Sequence, residues 1–183
     1  MSKGNLKKIV YRRRVRAGFI GIILVIILAK PDLPSLLGGL VVCSSGLFLR
    51  TWAAGHLRKE KELTVSGPYI HTRNPLYLGN LIIGFSVVIA SRSLWILGIF
   101  TAYFLLFYTI AVQVEMERMK EFFPLEYETY KKKTPLFFPS WKSFSSSKKN
   151  KFSWELYLKN KEWRAFLGAI FFWLILAGKA VFF

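Results

Sequence analysis

The sequence predicts an all-α integral membrane protein with about five transmembrane helices joined on one side by short external hairpin turns. Three observations carry that prediction. The chain is 53% hydrophobic yet has 27 Lys and Arg against 10 Asp and Glu, a formal charge of +17. Its apolar residues are gathered into runs at 17–29, 33–49, 76–90, 94–114 and 165–178, with basic stretches between them. Finally, the basic residues are unevenly divided: if all the runs cross, every Lys and Arg except Lys30, Arg92 and Lys179 falls on one side. A nucleic-acid binder would explain the charge but not the apolar runs, so no nucleic-acid partner is expected.

Only the fourth run reaches the ~20 apolar residues that span a ~30 Å hydrocarbon core unaided. The first extends back through Val10 if its arginines snorkel to the interface, and the second runs on past Arg50 through Trp52, Ala53 and Ala54. The third and fifth are short enough to be re-entrant, but a three-crossing arrangement gives no comparable separation of charge. The positive-inside rule then puts the N-terminus in the cytoplasm and the extreme C-terminus outside. Residues 27–31 lack a small-x-small cleavage site, which argues against a signal peptide.

"AKPDLPS" (29–35) turns the first run into the second, and "SRS" (91–93) the third into the fourth, giving two antiparallel hairpins. Gly38, Gly39, Ser44, Ser45 and Gly46 are small enough to let a neighbouring helix approach the second run. Cys43, the single cysteine, excludes an intramolecular disulfide and reads as a packing residue. Residues 1–141 form the main domain, 142–164 a basic linker beside anionic headgroups, and 165–183 a C-terminal hydrophobic segment that reads as a fifth crossing.

Chemistry is expected on the basic side. In "SGPYIHTRNPLYLGN" (66–80), Gly67 and Pro68 favour a turn, Pro75 pushes Asn74 toward an extended conformation, and Pro75 suits the first turn of a helix. Arg73 beside a helix N-terminus makes an anion site, or else an anchor that snorkels to headgroups. Glu115 and Glu117 follow the longest apolar run, where the helix dipole disfavours carboxylates. They read either as functional acids or as a solvated extension with Glu115 near Arg118. Tyr127, Tyr130, Phe137, Phe138 and Trp141 read as site walls or as an interfacial aromatic belt. His56 and His71 are expected to face the interface or solvent. With two histidines and one cysteine scattered along the chain, no metal site is expected. No glycine-rich phosphate loop or Rossmann fingerprint occurs.

In order and spacing, residues 64–141 resemble the integral membrane methyltransferases that include isoprenylcysteine carboxyl methyltransferase and the phospholipid N-methyltransferases. The resemblance rests on Gly67-Pro68-Tyr69, Arg73-Asn74-Pro75-Leu76-Tyr77-Leu78-Gly79, Glu115, Phe123 with Tyr127 and Tyr130, and Pro135-Leu136-Phe137-Phe138-Pro139. Asn74, Met116, Pro124 and Thr134 depart from the family's usual histidine, second acid, glycine and valine. The resemblance implies an enzyme that takes S-adenosylmethionine from the cytoplasmic side and methylates a lipophilic small-molecule or lipid-modified acceptor drawn from the bilayer.

The roles it implies are specific. Arg73, with the helix start at Asn74 and Pro75, would bind the cofactor carboxylate, and Glu115 would accept from the ribose hydroxyls or the ammonium. Tyr77 and Tyr127 would wall the adenine or face the sulfonium, Tyr69 and Tyr130 would belong to the cofactor site, and Gly79 would admit the cofactor or an adjacent helix. Arg73 and Glu115 are the catalytic candidates; Glu117 partly substitutes for the missing acid. The acceptor implied first is the carboxylate of an isoprenylcysteine-like or other isoprenoid compound. The alternatives are a phospholipid amine, with Glu115, Glu117 or His71 as base, and a noncatalytic polybasic protein that binds anionic lipid. The membrane is expected to be a bacterial inner membrane or one like the endoplasmic reticulum.

Overall fold

The computed structural model describes residues 3–59, 61–140 and 150–182. Trp141 and most of the basic stretch 142–151 lie outside the described residues. Helix is the dominant structure, and no strand occurs among the described residues. The helices are α1 (Lys3–Leu28), α2 (Leu33–His56), α3 (Pro75–Ser91), α4 (Leu94–Tyr103), α5 (Thr109–Phe122), α6 (Pro124–Lys133), α7 (Trp154–Lys159) and α8 (Trp163–Phe182). A 3-10 turn covers Gly67–Ile70, and a π-helical turn at Phe104–Tyr108 joins α4 to α5.

Local signals set the helix ends. Asp32 caps α2, its carboxylate accepting from the Ser35 amide while the Ser35 hydroxyl accepts from the Asp32 amide. Those bonds from Ser35 hold the Asp32 carboxyl below its ordinary pKa. Pro75 opens α3 in its first turn, and Arg92 in the left-handed region closes it at φ 50°.

Three helical stretches are long and apolar enough to cross a membrane: Leu33–His56, the continuous 29 residues Leu94–Phe122, and Trp163–Phe182. The first half of α1 is basic, and α3 has 17 residues, about 25 Å of rise against a ~30 Å core. Large apolar side chains point outward along the bundle, Leu94 at 84% exposed and Trp95 at 78% among them. In an aqueous protein such a surface is a liability; in a bilayer it is the solvent-facing side.

The two hairpin turns meet at one end of the bundle. The Lys30 amide donates to Ser91 O at 2.9 Å, Arg92 pairs with Asp32, and Lys179 Nζ donates to Ile26 O at 2.5 Å and Ile27 O at 3.0 Å. The three cations assigned by the sequence to the sparsely charged side therefore share this end. Beneath them Ala29, Leu36, Ala90, Ile96 and Leu176 form an apolar core. A second core, Leu63, Val65, Tyr127 and Tyr130, lies at the opposite end.

Between the ends, α2 and α3 cross closely. The seam on α2 is Leu36, Gly39, Cys43 and Gly46, all buried, at the three-and-four spacing of one helical face. A Cβ on Gly46 would sit 2.8 Å from Ile83 Cγ1 and 3.0 Å from Gly79 O, and one on Gly39 would sit 2.7 Å from Ser86 O. Gly38, Ser44 and Ser45 are exposed, because helical periodicity turns them off that face; their smallness does not serve this contact. Cys43 packs in the seam as the sequence suggests.

Gly46→Ala should lower stability by about 1–3 kcal/mol. Gly98→Ala, where nothing lies within 4 Å of the added Cβ, should not lower it and should raise it by up to about 1 kcal/mol, alanine being the better helix former. Thermal unfolding of the two variants in detergent measures the difference.

Candidate functional site

The segment between α2 and α3 is folded back and laced to the segment after α6. Arg73 N donates to Pro135 O at 3.0 Å and Ser140 N to His71 O at 3.0 Å. Thr72 Oγ1 donates to Phe137 O at 2.7 Å, and Asn74 Nδ2 to Leu136 O at 2.9 Å. Gly67, at φ +58°, starts the fold-back, and a Cβ there would lie 2.5 Å from His56 Cδ2. His56 is accordingly buried, with Nδ1 3.0 Å from Ser66 Oγ. This corrects the expectation of an interfacial or solvent-facing ring: the loop returns over the end of α2 and covers it. His71 is held through Nδ1 to Ser140 O at 2.9 Å.

This lacing places the start of α3 against α5 and α6 and encloses a cavity of about 120 Å³. Tyr69, Arg73, Asn74, Pro75, Tyr77, Glu115, Tyr127 and Tyr130 all line it. Gly79 does not: it faces α2, where a Cβ would sit 2.5 Å from Arg50 Cγ, so the close approach it permits is that of a helix. Asn74 lines the cavity, but its amide nitrogen is already donated to Leu136.

Arg73 Nη1 donates to Tyr127 OH at 3.1 Å, and the guanidinium carbon lies 6.0 Å from the Tyr127 ring centroid. Its Nε is buried and has no hydrogen-bond partner among the described residues. Buried N–H groups without partners are rare, and a ligand is one ordinary explanation. Next to it, α3 starts with no side-chain cap from Asn74, so its first-turn N–H groups are not satisfied by that residue.

Glu115 faces α3 from α5. The Tyr77 hydroxyl lies 3.5 Å from Glu115 Oε2, a long contact, and accepts from Arg14 Nη1 at 3.3 Å. Glu117 points away and pairs with Lys7 at 3.0 Å, because two residues along a helix rotate a side chain by about 200°. Met116, not Glu117, stands on the cavity wall. Tyr130 OH donates to Tyr69 O at 2.6 Å. Burial raises both the Tyr69 and Tyr130 phenols well above their ordinary pKa, so both stay neutral throughout the physiological range.

The loop 57–64 supplies a wall that sequence reading missed, through Leu57, Arg58, Lys59, Glu62, Leu63 and Thr64. Arg58 Nε lies 3.3 Å from Glu62 Oε1, and Arg58 N donates to Thr64 Oγ1 at 3.2 Å. The charged run "LRKEKEL" just before the Gly-Pro-Tyr turn was the available signal. With Arg118 also on the wall, Arg58, Lys59, Arg73 and Arg118 face Glu62 and Glu115, a cationic balance. Sites for drug-sized molecules span about 300–1,000 Å³, so an occupant of that size must displace side chains, most readily those of the loop.

A second, apolar groove of about 330 Å³ runs between α1, α3, α4 and α8, with Gly18, Gly21, Gly84 and Gly168 along it. Tyr108 lines this groove and Tyr77 lines the cavity; their rings meet edge-on, 5.5 Å apart at 85°. That aromatic pair is the partition between the two spaces.

Fold and site together define a helical integral membrane protein with an arginine-bearing cavity at one end of its bundle and an apolar groove behind it. A family model described as phospholipid methyltransferase matches residues 35–126, and the chain belongs to that family. The match takes in α2 and the charged loop and stops just before Tyr127. A nickel-cobalt-cadmium resistance protein of Alcaligenes xylosoxydans xylosoxydans is 32% identical over 99 residues, 53% of this chain and 46% of that one. A cobalt-zinc-cadmium resistance protein of Cupriavidus metallidurans is 34% identical over 92 residues, 49% of this chain and 42% of the other. The chain thus spans somewhat less than half the length of these relatives. No solved structure matches it. Among the described residues no group of three or more His, Cys, Asp or Glu is placed to hold a metal ion.

Tyr130→Phe leaves the buried carbonyl of Tyr69 without its hydroxyl donor and should cost about 1–3 kcal/mol. Denaturant unfolding in mixed micelles reads that loss.

Proposed function

We propose that the chain is an S-adenosylmethionine-dependent methyltransferase acting on a lipophilic acceptor at the membrane surface. The observation that carries the reading is the buried, unpartnered Nε of Arg73 beside the uncapped start of α3. A guanidinium and a helix N-terminus together favour a carboxylate, and S-adenosylmethionine has one. Arg73 would hold it. Glu115 would accept from the ribose hydroxyls or the ammonium, while Tyr77 and Tyr127 offer π faces to the adenine or the cationic sulfur. When bound, the cofactor supplies an electrophilic methyl group, so the work left to the protein is alignment and exclusion of water.

The acceptor's hydrocarbon chain would lie in the apolar groove, with its reacting group passing the Tyr77–Tyr108 partition. The cationic balance of the cavity wall favours a carboxylate nucleophile over an ammonium that must first lose a proton. Esterifying a carboxylate also removes an anionic oxygen ligand for divalent cations, which connects this reading with the names of the relatives. The second reading, a phospholipid amine with Glu115 as base, is favoured by the family's own description. The basic end of the bundle, with the cavity, would face the cytoplasm.

The test is transfer of labelled methyl from S-adenosylmethionine into membrane lipid by the protein in bilayers. Alkali-labile label formed at equal rates at mildly acidic and neutral pH identifies a carboxylate. Alkali-stable label whose rate rises about tenfold per pH unit identifies an amine. Arg73→Ala and Glu115→Ala, verified as folded, should each reduce transfer at least about 30-fold. Absence of label with the intact protein across lipid extracts returns the chain to a noncatalytic role on anionic lipid.

A further inference from the structure

Arg50 and Glu162 form an ion pair whose side chains are only 14% and 13% exposed. Arg50 Nε and Nη2 donate to Glu162 Oε2 at 3.0 and 2.6 Å. Nη1 of the same guanidinium donates to Asn80 Oδ1 and reaches Leu76 O at 3.5 Å. Leu76 is on the cavity wall and Asn80 on the groove wall, so the pair sits behind the first turns of α3, between the two spaces. Gly79 makes this possible, since any Cβ there would collide with the Arg50 stem.

Glu162 comes from the turn before α8, outside the family match at 35–126. Its segment is fastened along the end of α2 by three further hydrogen bonds. Ser153 N donates to Gly55 O at 2.9 Å, and Asn160 Nδ2 donates to Ala54 O and Leu57 O at 3.0 and 2.9 Å. A buried ion pair is poor evidence of stabilisation, because desolvation offsets most of its attraction. What this one does is fix direction: with Glu162 holding two of its nitrogens, Arg50 presents the third to the first turns of α3.

We propose that Arg50 and Glu162 are positioning residues, through which the C-terminal segment containing α7 and α8 holds the start of α3, and hence Arg73 and Tyr77, in register with Glu115. This deepens the methyltransferase reading and rests on it for the identity of the ligand. The positioning itself is measurable without a ligand.

The experiment compares the intact protein with Glu162→Gln and with the double variant Arg50→Met, Glu162→Met, which replaces the pair by apolar groups of similar size. Three quantities are read: thermal stability, hydrogen exchange of the peptide covering residues 72–80, and affinity for S-adenosylmethionine. The double variant should unfold near the native temperature, yet exchange faster over 72–80 and bind S-adenosylmethionine at least about tenfold more weakly. Glu162→Gln should show the same faster exchange. Native exchange and native affinity in a folded double variant would overturn the proposal, as would faster exchange confined to the C-terminal segment of α7 and α8. If the intact protein binds no S-adenosylmethionine, the function reading fails by itself, and exchange over 72–80 still decides the positioning.

Discussion

The close crossing of α2 and α3 is the constraint on which the remaining geometry depends. Without side chains at Gly46 and Gly79 the backbones come near enough for a Cβ on either residue to lie about 3.0–3.1 Å from the other's carbonyl oxygen. In lipid no hydrophobic force drives helices together, so small residues and polar contacts must do so. The crossing fixes the direction in which α3 leaves its first turn. That direction places Arg73 and Tyr77 opposite Glu115, and leaves room for the Arg50 stem to pass Gly79.

From this crossing the molecule divides into two chemically different ends. One is closed by hairpin turns, an apolar core and the cations Arg92 and Lys179, which are paired with Asp32 and with helix carbonyls. The other carries the arginine-lined cavity, where neutral phenols and one long Tyr77–Glu115 contact form the walls. Burial keeps Tyr69 and Tyr130 protonated, so the charge of the cavity comes from its guanidinium, ammonium and carboxylate groups. Such a site suits a ligand with both an anionic and a cationic end.

Sequence reading reached what local rules determine. Pro75 marks a helix start, and the stretches 29–35 and 91–93 mark turns, because each acts on its immediate neighbours; that Asp32 also caps α2 is seen only in the structure. The order of motifs brought Tyr69, Arg73, Tyr77, Glu115, Tyr127 and Tyr130 onto one list, and they line one cavity. Contacts set by long-range packing were not legible. Nothing local says that Asn74 donates to Leu136 or that Glu117 turns toward Lys7, and the charged run at 57–63 marks a polar loop without telling that it lines the cavity. Glu162 is the clearest case, since its partner Arg50 lies on a helix more than a hundred residues earlier in the chain. Of the small residues on α2, only helical phase separates Gly39 and Gly46 from Gly38, Ser44 and Ser45, and the phase depends on which face α3 takes.

Binding of S-adenosylmethionine in the Arg73 cavity, as proposed, can be measured by titration calorimetry on the protein in lipid nanodiscs. Saturable binding of one molecule per chain is expected, lost in Arg73→Ala and kept in a variant of the outward-facing Glu117. Binding that survives Arg73→Ala unchanged, or no binding by the intact protein in lipid, would contradict it.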